Sequence, residues 1–351
     1  MLLNNILITG GCGFLGVSLV KKLLKLGTKN IRLIDNLSVG SKSDLLQVSK
    51  FIEVKPDNIK GPPIGLELLV GDIREMNLAL KVTRGINIVI HLAANTGVGP
   101  SIEKPEVDML INVVGTFNYL EASRINKISK FIFASSGAPV GEVDPPIHEE
   151  IAPHPVSPYG ASKLAGEGYC SAYKMTFGLD TVALRFGNIY GPGSVHKLSV
   201  VAKFIKKAID GKTLEIYGDG AQTRDFIYID DLIDAIILAS KKNNIGGEIF
   251  QIASNKEITI SEMTNKLINE LKLQGIKNVS IKNSSKRTGD VRRNFSDTSK
   301  AKNYLGWNTK VYLEKGLSKT VKYFLKIDKG VIKWKKFLRI RKYLLPVRVV
   351  Q

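Results

Sequence analysis

The sequence contains few cysteines and histidines and lacks any long apolar run. Its two cysteines, Cys12 and Cys170, are too few for a disulfide framework, and its four histidines show no zinc-ligand spacing. No run of 18 or more apolar residues occurs, which excludes a membrane-spanning helix. The first residues carry no basic segment followed by an apolar stretch, so we expect a cytoplasmic protein without a secretory leader.

Acidic residues are outnumbered by basic ones, 32 to 51, which leaves a net charge of +19. A balance this basic is typical of proteins that bind nucleic acids, anionic lipids or phosphorylated ligands. No RNP, zinc-finger or basic-zipper pattern occurs, and we therefore expect no nucleic-acid partner. Eight of the basic residues and none of the acidic ones lie in residues 329–351, which we name the basic tail.

The basic tail has the pattern of an amphipathic helix. Its apolar residues that share one side of a helical projection are Val331, Trp334, Phe337, Leu338, Leu344 and Leu345. Its basic residues that cluster on another side are Lys335, Lys336, Arg339 and Lys342. This pattern predicts weak contact with an anionic membrane surface, and the alternative is a solvated or self-packed terminal helix.

Short β-rich segments alternate with helical patterns in the first half of the sequence. The predicted strands cover residues 5–9, 30–34, 66–70, 86–91, 130–135 and 181–186, and the predicted helices cover residues 14–26, 75–83, 105–126 and 158–177. The strands are almost continuously apolar, as strands buried on both faces are. The alternation predicts an α/β fold with a Rossmann-type, doubly wound parallel sheet. Residues 41–65 are expected to form an irregular insertion.

The strict alternation ends after Pro192, and the rest of the sequence predicts a smaller α+β C-terminal substrate domain. We therefore divide the chain into a Rossmann domain over residues 1–192, a ligand-binding portion over residues 193–328 and the basic tail. The first of these would hold a cofactor and the second a substrate.

A glycine-rich loop follows the first predicted strand, with the sequence Thr9-Gly10-Gly11-Cys12-Gly13-Phe14-Leu15-Gly16. Gly10, Gly13 and Gly16 let the backbone approach a pyrophosphate, and the helix that follows offers unpaired N–H groups. Asp35 ends the next strand at about the spacing that a ribose-binding carboxylate needs. Because a carboxylate repels a 2′-phosphate, these residues predict a site for NAD in preference to NADP.

A tyrosine and a lysine, Tyr159 and Lys163, are four residues apart in a predicted helix and so share one face of it. A phenol is a poor base at neutral pH, but a nearby ammonium group favours its ionised form. Such a pair needs a hydroxyl group as partner, and Ser136 supplies one at the end of the fifth predicted strand. These residues predict a catalytic triad for proton transfer.

Three later loops present basic or amide side chains, Asn188, Arg224 and Arg287. Such groups suit a diphosphate, which needs several charge-assisted hydrogen bonds. Tyr217 lies between the first two loops and offers an aromatic face on which a base can stack.

The glycine-rich loop and the triad together resemble the extended form of the short-chain dehydrogenase/reductase superfamily. Further matches are Gly71-Asp72-Ile73 after the third strand and His91-Leu92-Ala93-Ala94 after the fourth. The resemblance implies that Asp72 and Ile73 hold the adenine of NAD. The other cofactor-binding residues that it implies are Phe14, Leu15, Asn36, Leu92, Ala93, Ala94, Asn112, Tyr159 and Lys163.

Within that superfamily, the later loops resemble those of the UDP-hexose 4-epimerases. The resemblance implies that Asn188, Arg224 and Arg287 bind the diphosphate of a UDP-sugar substrate, that Tyr217 stacks on uracil, and that Asp290 holds the nucleotide ribose. Ser136 would bind the reacting oxygen, and Asn294 would face the C2 substituent of the sugar. Because Asn294 is smaller than tyrosine, it would admit an N-acetyl group beside the glucose and galactose pair. The implied reaction is NAD-dependent epimerisation at C4 through a 4-keto sugar.

Other features bear on the choice among related activities. No carboxylate follows Ser136 before Glu142, which argues against the elimination of water. Val140-Gly141 lacks the tyrosine that is usual in the family, so this wall of the pocket is undefined. The alternatives are a UDP-glucuronate 4-epimerase, a nucleotide-sugar reductase, or a non-catalytic module that binds nucleotide sugars. The resemblance also implies a homodimer, in which the helices 105–126 and 158–177 pair as a four-helix bundle.

Overall fold

The structure is a computed structural model that describes residues 3–285 and 291–328. The predicted substrate ligands Arg287 and Asp290 and the whole basic tail, with its expected membrane contact, lie outside the described residues. Within the described part of the chain, no helix is both long enough and apolar enough to cross a membrane.

The strands and helices are as follows. The strands are β1 Ile6–Thr9, β2 Ile31–Asp35, β3 Ile52–Glu53, β4 Leu66–Val70, β5 Ile88–His91, β6 Lys130–Ser136, β7 Asp180–Phe186, β8 Asn188–Tyr190, β9 Leu214–Tyr217, β10 Thr223–Arg224, β11 Phe226–Tyr228, β12 Ile249–Ile252, β13 Ile258–Thr259 and β14 Ile281–Ser284. The α-helices are α1 Phe14–Lys25, α2 Lys42–Leu46, α3 Met76–Val82, α4 Val98–Glu103, α5 Pro105–Met109, α6 Gly115–Ile125, α7 Pro158–Phe177, α8 Val200–Ile209, α9 Ile229–Lys241, α10 Ile260–Leu273, α11 Ser299–Leu305 and α12 Leu313–Asp328.

The main sheet confirms the predicted fold. Its eight strands are all parallel and lie in the order β12-β7-β6-β5-β1-β2-β4-β3. Every residue of β1 is buried, with Ile6 and Ile8 in the larger apolar cluster on one face and Leu7 in the cluster on the other. Burial on both faces explains why the strands are almost continuously apolar.

The insertion at residues 41–65 is more regular than expected. It contains the short helix α2, whose N-cap Ser41 accepts a hydrogen bond from the backbone N–H of Asp44 at 3.2 Å. It also contains β3, which pairs with β4 and becomes the edge strand of the sheet. The insertion is therefore irregular over most of its length, as expected, but holds short regular elements because the polar cap and the edge pairing act where the apolar periodicity is weak.

The helix predicted over residues 105–126 is interrupted in the structure. A π-helical turn, Leu110–Val114, separates α5 from α6. Such turns are frequent at functional sites because they redirect side chains within a helix. Asn112 lies in this turn and is almost completely buried.

The C-terminal portion shares the main sheet. Apart from the main sheet, three two-stranded sheets form from β8 with β11, β9 with β14, and β10 with β13. The helices α8, α10 and α12 pack together, whereas α9 packs on β6 and β7. Because β12 pairs with β7, the two expected parts are joined through one sheet, and a cleft lies between them at the carboxyl ends of the strands.

Candidate active site

The cleft contains a cavity of about 1630 Å³. Sites for a single small ligand occupy roughly 300–1,000 Å³, so this cavity has room for two ligands. Its walls come from the glycine-rich loop, from the first turns of α7, and from the loops that carry Tyr217 and Arg224. The residues predicted for a cofactor and for a substrate therefore line one continuous space.

The glycine-rich loop between β1 and α1 is tightly packed. Gly10 has a φ of +70°, in the left-handed region that favours glycine. A Cβ at Gly16 would overlap the carbonyl oxygen of Gly10, so only glycine lets α1 begin this close to the loop. No side chain caps this end of the helix, which leaves its first N–H groups for a ligand. This cradle fits a pyrophosphate.

Asp35 closes the loop from the end of β2. Its two carboxylate oxygens accept hydrogen bonds from the backbone N–H of Cys12 at 2.9 Å and of Leu37 at 2.8 Å. Burial raises the pKa of Asp35, while its backbone hydrogen bonds lower it. A backbone hydrogen bond from Gly13 also reaches this carboxylate, which keeps acceptor capacity for a ribose hydroxyl group. A Cβ at Gly40 would overlap the carbonyl of Cys12, so Gly40 is a further requirement of this loop that the sequence analysis missed.

The other predicted cofactor residues line the same cavity, with one exception. Those that line it are Phe14, Leu15, Asn36, Asp72, Ile73, Leu92, Ala93 and Ala94. The hydroxyl group of Thr9 accepts hydrogen bonds from the backbone N–H groups of Leu92 and Ala93, both at 3.1 Å, and holds this segment in place. The donor set, the glycine cradle and the ribose carboxylate together fit a dinucleotide.

The exception is Asn112, which lies behind the cavity wall. Its amide group donates to the Asn95 carbonyl oxygen, to Asp108 Oδ1 and to Ser162 Oγ, each at 3.0 Å. Its own oxygen accepts from the backbone N–H of Asn95 at 2.8 Å. Asn112 thus braces the Asn95 loop against α7, because burial directs its polar groups to protein partners, and its expected contact with the cofactor stays a prediction.

The start of α7 presents the predicted tyrosine to the cavity. Ser157 caps the helix by accepting a hydrogen bond from the backbone N–H of Gly160 at 3.1 Å, and Pro158 occupies the first turn. Tyr159 then faces Ser136 across the cavity wall, and the two side chains form a hydrogen bond. Burial is the largest influence on the Tyr159 phenol and raises its pKa to about 12, whereas the Ser136 hydrogen bond lowers it.

Lys163 lies one turn after Tyr159 and is almost fully buried. Its Nζ donates to the carbonyl oxygen of Ala134 at 2.8 Å and lies 4.9 Å from the ring centroid of Phe133. Burial lowers the pKa of Lys163 to about 8, and the negative charge of Asp108 is the largest opposing influence. The triad residues are thus close together, as predicted.

A buried ion pair supports the triad from behind. Arg185 and Glu167 form two hydrogen bonds of 2.8 Å, and Ser135 Oγ donates to Glu167 at 2.6 Å. The hydroxyl group of Ser135 is thereby turned away from Tyr159. A Cβ at Gly166 would overlap the Phe133 ring, so glycine at this position brings α7 close to β6. The sequence analysis missed these contacts, because they join residues far apart in the chain.

The predicted substrate residues lie in the C-terminal wall of the cavity. Asn188, Tyr217 and Arg224 all line it. Arg224 Nη1 also donates to the carbonyl oxygen of Val291 at 2.8 Å, which ties down the segment that follows residues 286–290. These positions suit contacts with a nucleoside diphosphate.

Asn294 lines the cavity beside the triad. Its backbone N–H donates to Thr223 Oγ1 at 3.1 Å, which fixes the segment. Its side-chain nitrogen lies 3.9 Å from the position that a Cβ on Gly137 would take, next to Ser136. The structure thus brings Asn294 close to the end of β6.

Two lysines in the cavity wall were missed by the sequence analysis. Lys203 Nζ lies over the ring of Tyr217, 5.3 Å from its centroid, and contacts its hydroxyl group at 3.4 Å. Lys197 lines the same cavity, and burial lowers its pKa. The sequence feature that could have identified them is their position in the segment that follows Gly191-Pro192, where the chain leaves the predicted Rossmann domain. Both add positive charge where an anionic ligand would lie.

Comparison with known proteins agrees with this geometry. The model of the NAD dependent epimerase/dehydratase family matches residues 6–253. UDP-glucose 4-epimerase of Mycolicibacterium smegmatis is 33% identical over 325 residues, which cover 91% of this chain and 97% of that protein. UDP-glucuronate 4-epimerase of Thermodesulfobacterium geofontis is 34% identical over 326 residues, which cover 90% and 95%. The crystal structure of UDP-glucose 4-epimerase from Thermotoga maritima with UDP-glucose is 33% identical, with a TM-score of 0.81 over 92% of this chain and 99% of that one.

Proposed function

The chain belongs to the NAD dependent epimerase/dehydratase family, and on that premise we propose that it interconverts UDP-glucose and UDP-galactose in the cytoplasm. It is an epimerase, NAD is its cofactor, and its family acts on UDP-sugars. The observation that carries the proposal is the hydrogen-bonded pair of Ser136 and Tyr159, which faces the same cavity as the predicted nucleotide ligands.

The mechanism follows from the positions of the triad. In its phenolate form, Tyr159 accepts the proton of the sugar O4 while the C4–H bond breaks, becomes a neutral phenol, and later returns the proton. Since burial favours the neutral phenol, the tyrosine acts as a base only when positive charge is close. We assign part of that charge to Lys163, which lies one turn further along α7. The chemistry that NAD supplies when bound is reversible uptake of hydride from C4. Ser136 hydrogen bonds to the reacting oxygen, and turning of the 4-keto sugar presents its other face to the same residues.

The surroundings of Ser136 favour epimerisation over the elimination of water. Gly137 and Ala138 line the cavity next to Ser136, and the backbone N–H of Ala138 donates to Ser136 Oγ at 3.2 Å. Elimination needs an acid to protonate the leaving hydroxyl group. Neither residue at this point of the wall supplies one.

The triad assignment is tested with UDP-glucose and the purified holoenzyme. Tyr159→Phe should lower kcat by roughly 10²–10⁴-fold, the range for loss of a general base, without loss of bound NAD. The matched control is Tyr304→Phe, on the exposed side of α11 and outside the cavity wall, which should retain parent activity. Full activity of Tyr159→Phe would contradict the proposed mechanism.

We assign to Asn294 the control of how large a substituent the sugar pocket accepts at C2. We propose that the space beside Gly137 accepts an N-acetyl group at C2, so UDP-N-acetylglucosamine is a second substrate. Asn294→Tyr should lower the ratio of UDP-N-acetylglucosamine to UDP-glucose activity at least tenfold, about 1.4 kcal/mol of lost transition-state stabilisation. Asn303→Tyr, on the exposed face of α11, is the control. An unchanged ratio in Asn294→Tyr contradicts the assignment.

A carboxylated sugar is the second candidate substrate. Lys197 adds a basic side chain to the cavity wall, and the similar protein of Thermodesulfobacterium geofontis is a UDP-glucuronate 4-epimerase. A panel of UDP-glucose, UDP-N-acetylglucosamine and UDP-glucuronate, with product analysis and no net reduction of NAD, decides between them. Turnover of UDP-glucuronate alone would overturn the neutral-sugar proposal.

We also propose that the chain forms a homodimer through α6 and α7. Phe117 and Tyr169 pack edge to face across these helices, 5.7 Å apart, yet remain 37% and 41% exposed. Met109 adds to this apolar surface. Light scattering should give twice the 38.6 kDa chain mass. Phe117→Glu should yield monomer and Ile64→Glu, an exposed control elsewhere, should not; a monomeric parent contradicts the proposal.

A further inference from the structure

A buried carboxylate, Asp108, lies behind α7, the helix that carries Tyr159 and Lys163. It is fully buried on α5, which packs against α7. Its Oδ1 accepts hydrogen bonds from the side-chain amides of Asn95 at 3.2 Å and Asn112 at 3.0 Å. Its Oδ2 is shielded from solvent and has no hydrogen-bond partner among residues 3–285 and 291–328. Both amide partners are neutral, so no cation in direct contact balances this charge.

Lys163 is a buried side chain of opposite charge on α7, the helix against which α5 packs. Its ammonium group is buried and donates to a neutral carbonyl oxygen, that of Ala134. A buried charge costs several kcal/mol unless an opposite charge offsets it. Asp108 lies on α5, which packs against α7, and its negative charge raises the pKa of Lys163 against the effect of burial.

The other titratable groups that act on Lys163 leave this role to Asp108. Glu167 is already paired with Arg185. Burial raises the pKa of the Cys170 thiol, which keeps it neutral. Burial lowers the pKa of His91 to about 3, so the imidazole is neutral as well. Burial raises the pKa of Tyr159 to about 12, which favours its uncharged phenol form.

We propose that Asp108 is a positioning residue whose negative charge keeps Lys163 protonated behind Tyr159. The inference rests on the catalytic roles assigned above. A second link is structural, since Asn112 joins Asp108 to Ser162, whose hydroxyl group donates to the backbone carbonyl of Tyr159 at 3.1 Å. The carboxylate therefore acts on the Tyr159–Lys163 pair through both charge and geometry.

The experiment removes the charge and keeps the shape. Asp108→Asn retains an oxygen for the two amide donors. The negative charge raises the pKa values of both Tyr159 and Lys163, so its loss should move both limbs of the kcat–pH profile toward acid by about one unit. The KM for UDP-glucose should change less than twofold. Asp108→Glu should restore the parent profile, and Glu106→Gln, exposed on the same helix, should leave it unmoved.

The outcomes are distinguishable. An Asp108→Asn profile that superimposes on the parent profile, or that falls uniformly at every pH, overturns the proposal in favour of a purely structural role. If Asp108→Asn does not fold, Asp108→Ser replaces it, because a water molecule can then satisfy the two amides. If the parent does not turn over UDP-glucose, the proposed function fails, and ultraviolet titration of the Tyr159 phenol in the holoenzyme still tests Asp108. The midpoint should then fall in Asp108→Asn, and an unchanged midpoint refutes the role.

Discussion

The buried pair of Glu167 and Arg185 should be a major determinant of stability. Both side chains are 2% exposed, and their two hydrogen bonds are 2.8 Å long. Arg185 Nη1 already lacks a hydrogen-bond partner in the described part of the chain. Glu167→Gln would leave the guanidinium charge buried and uncompensated.

The expected loss is about 3–5 kcal/mol in the free energy of unfolding, the cost of breaking a buried pair on one side. This is a large fraction of the roughly 5–15 kcal/mol that stabilises an average protein. Replacing both residues, as in Glu167→Met with Arg185→Met, should recover most of the loss, because it removes both buried charges.

The assay is equilibrium urea unfolding at neutral pH, followed by circular dichroism, for the parent, the single variant and the double variant. Asp210→Asn, which breaks the exposed contact between Asp210 and Lys212, is the control and should leave the midpoint unchanged. A single variant within about 1 kcal/mol of the parent would refute the reasoning, as would a double variant less stable than the single one.

Three further predictions concern single residues. Gly16→Ala should weaken NAD binding at least tenfold in a fluorescence titration, because its Cβ would displace the carbonyl of Gly10; parent affinity would contradict the tight loop. Burial keeps His91 neutral in the folded protein, with a pKa of about 3 against about 6.5 in the unfolded chain. The contribution of neutral His91 to the free energy of unfolding is therefore fully present above pH 6.5 and is lost as the pH falls toward 3, by at most about 1.4 kcal/mol per pH unit. His91→Gln should flatten that slope in denaturation at several pH values, and an unchanged slope counts against it. Burial raises the pKa of Cys12 to about 12, so iodoacetamide should label it only after unfolding; rapid labelling of the native protein would disprove this.

Local patterns were sufficient for much of the fold. The six predicted strands form within two residues of their expected bounds, and α7 spans the predicted residues 158–177. Apolar runs, glycines and caps such as Ser157 act within a few residues, so their effects can be recognised along the chain. The glycine-rich loop and the Tyr159–Lys163 pair were recognisable for the same reason, since each depends on short, fixed spacing, whereas Asp35 and Ser136 were located at the ends of predicted strands.

The amino-acid sequence thus determined by itself the parallel sheet, the dinucleotide loop and the placement of Tyr159 and Lys163 on one helical face. Only the tertiary structure decided that β12 completes the sheet, that Asn112 braces the Asn95 loop, and that Asp108 and Lys163 are buried on two helices that pack together. The physical reason is the distance along the chain over which each effect acts. Backbone conformation responds to neighbouring residues, whereas burial and electrostatic environment depend on segments that meet only when the chain has folded.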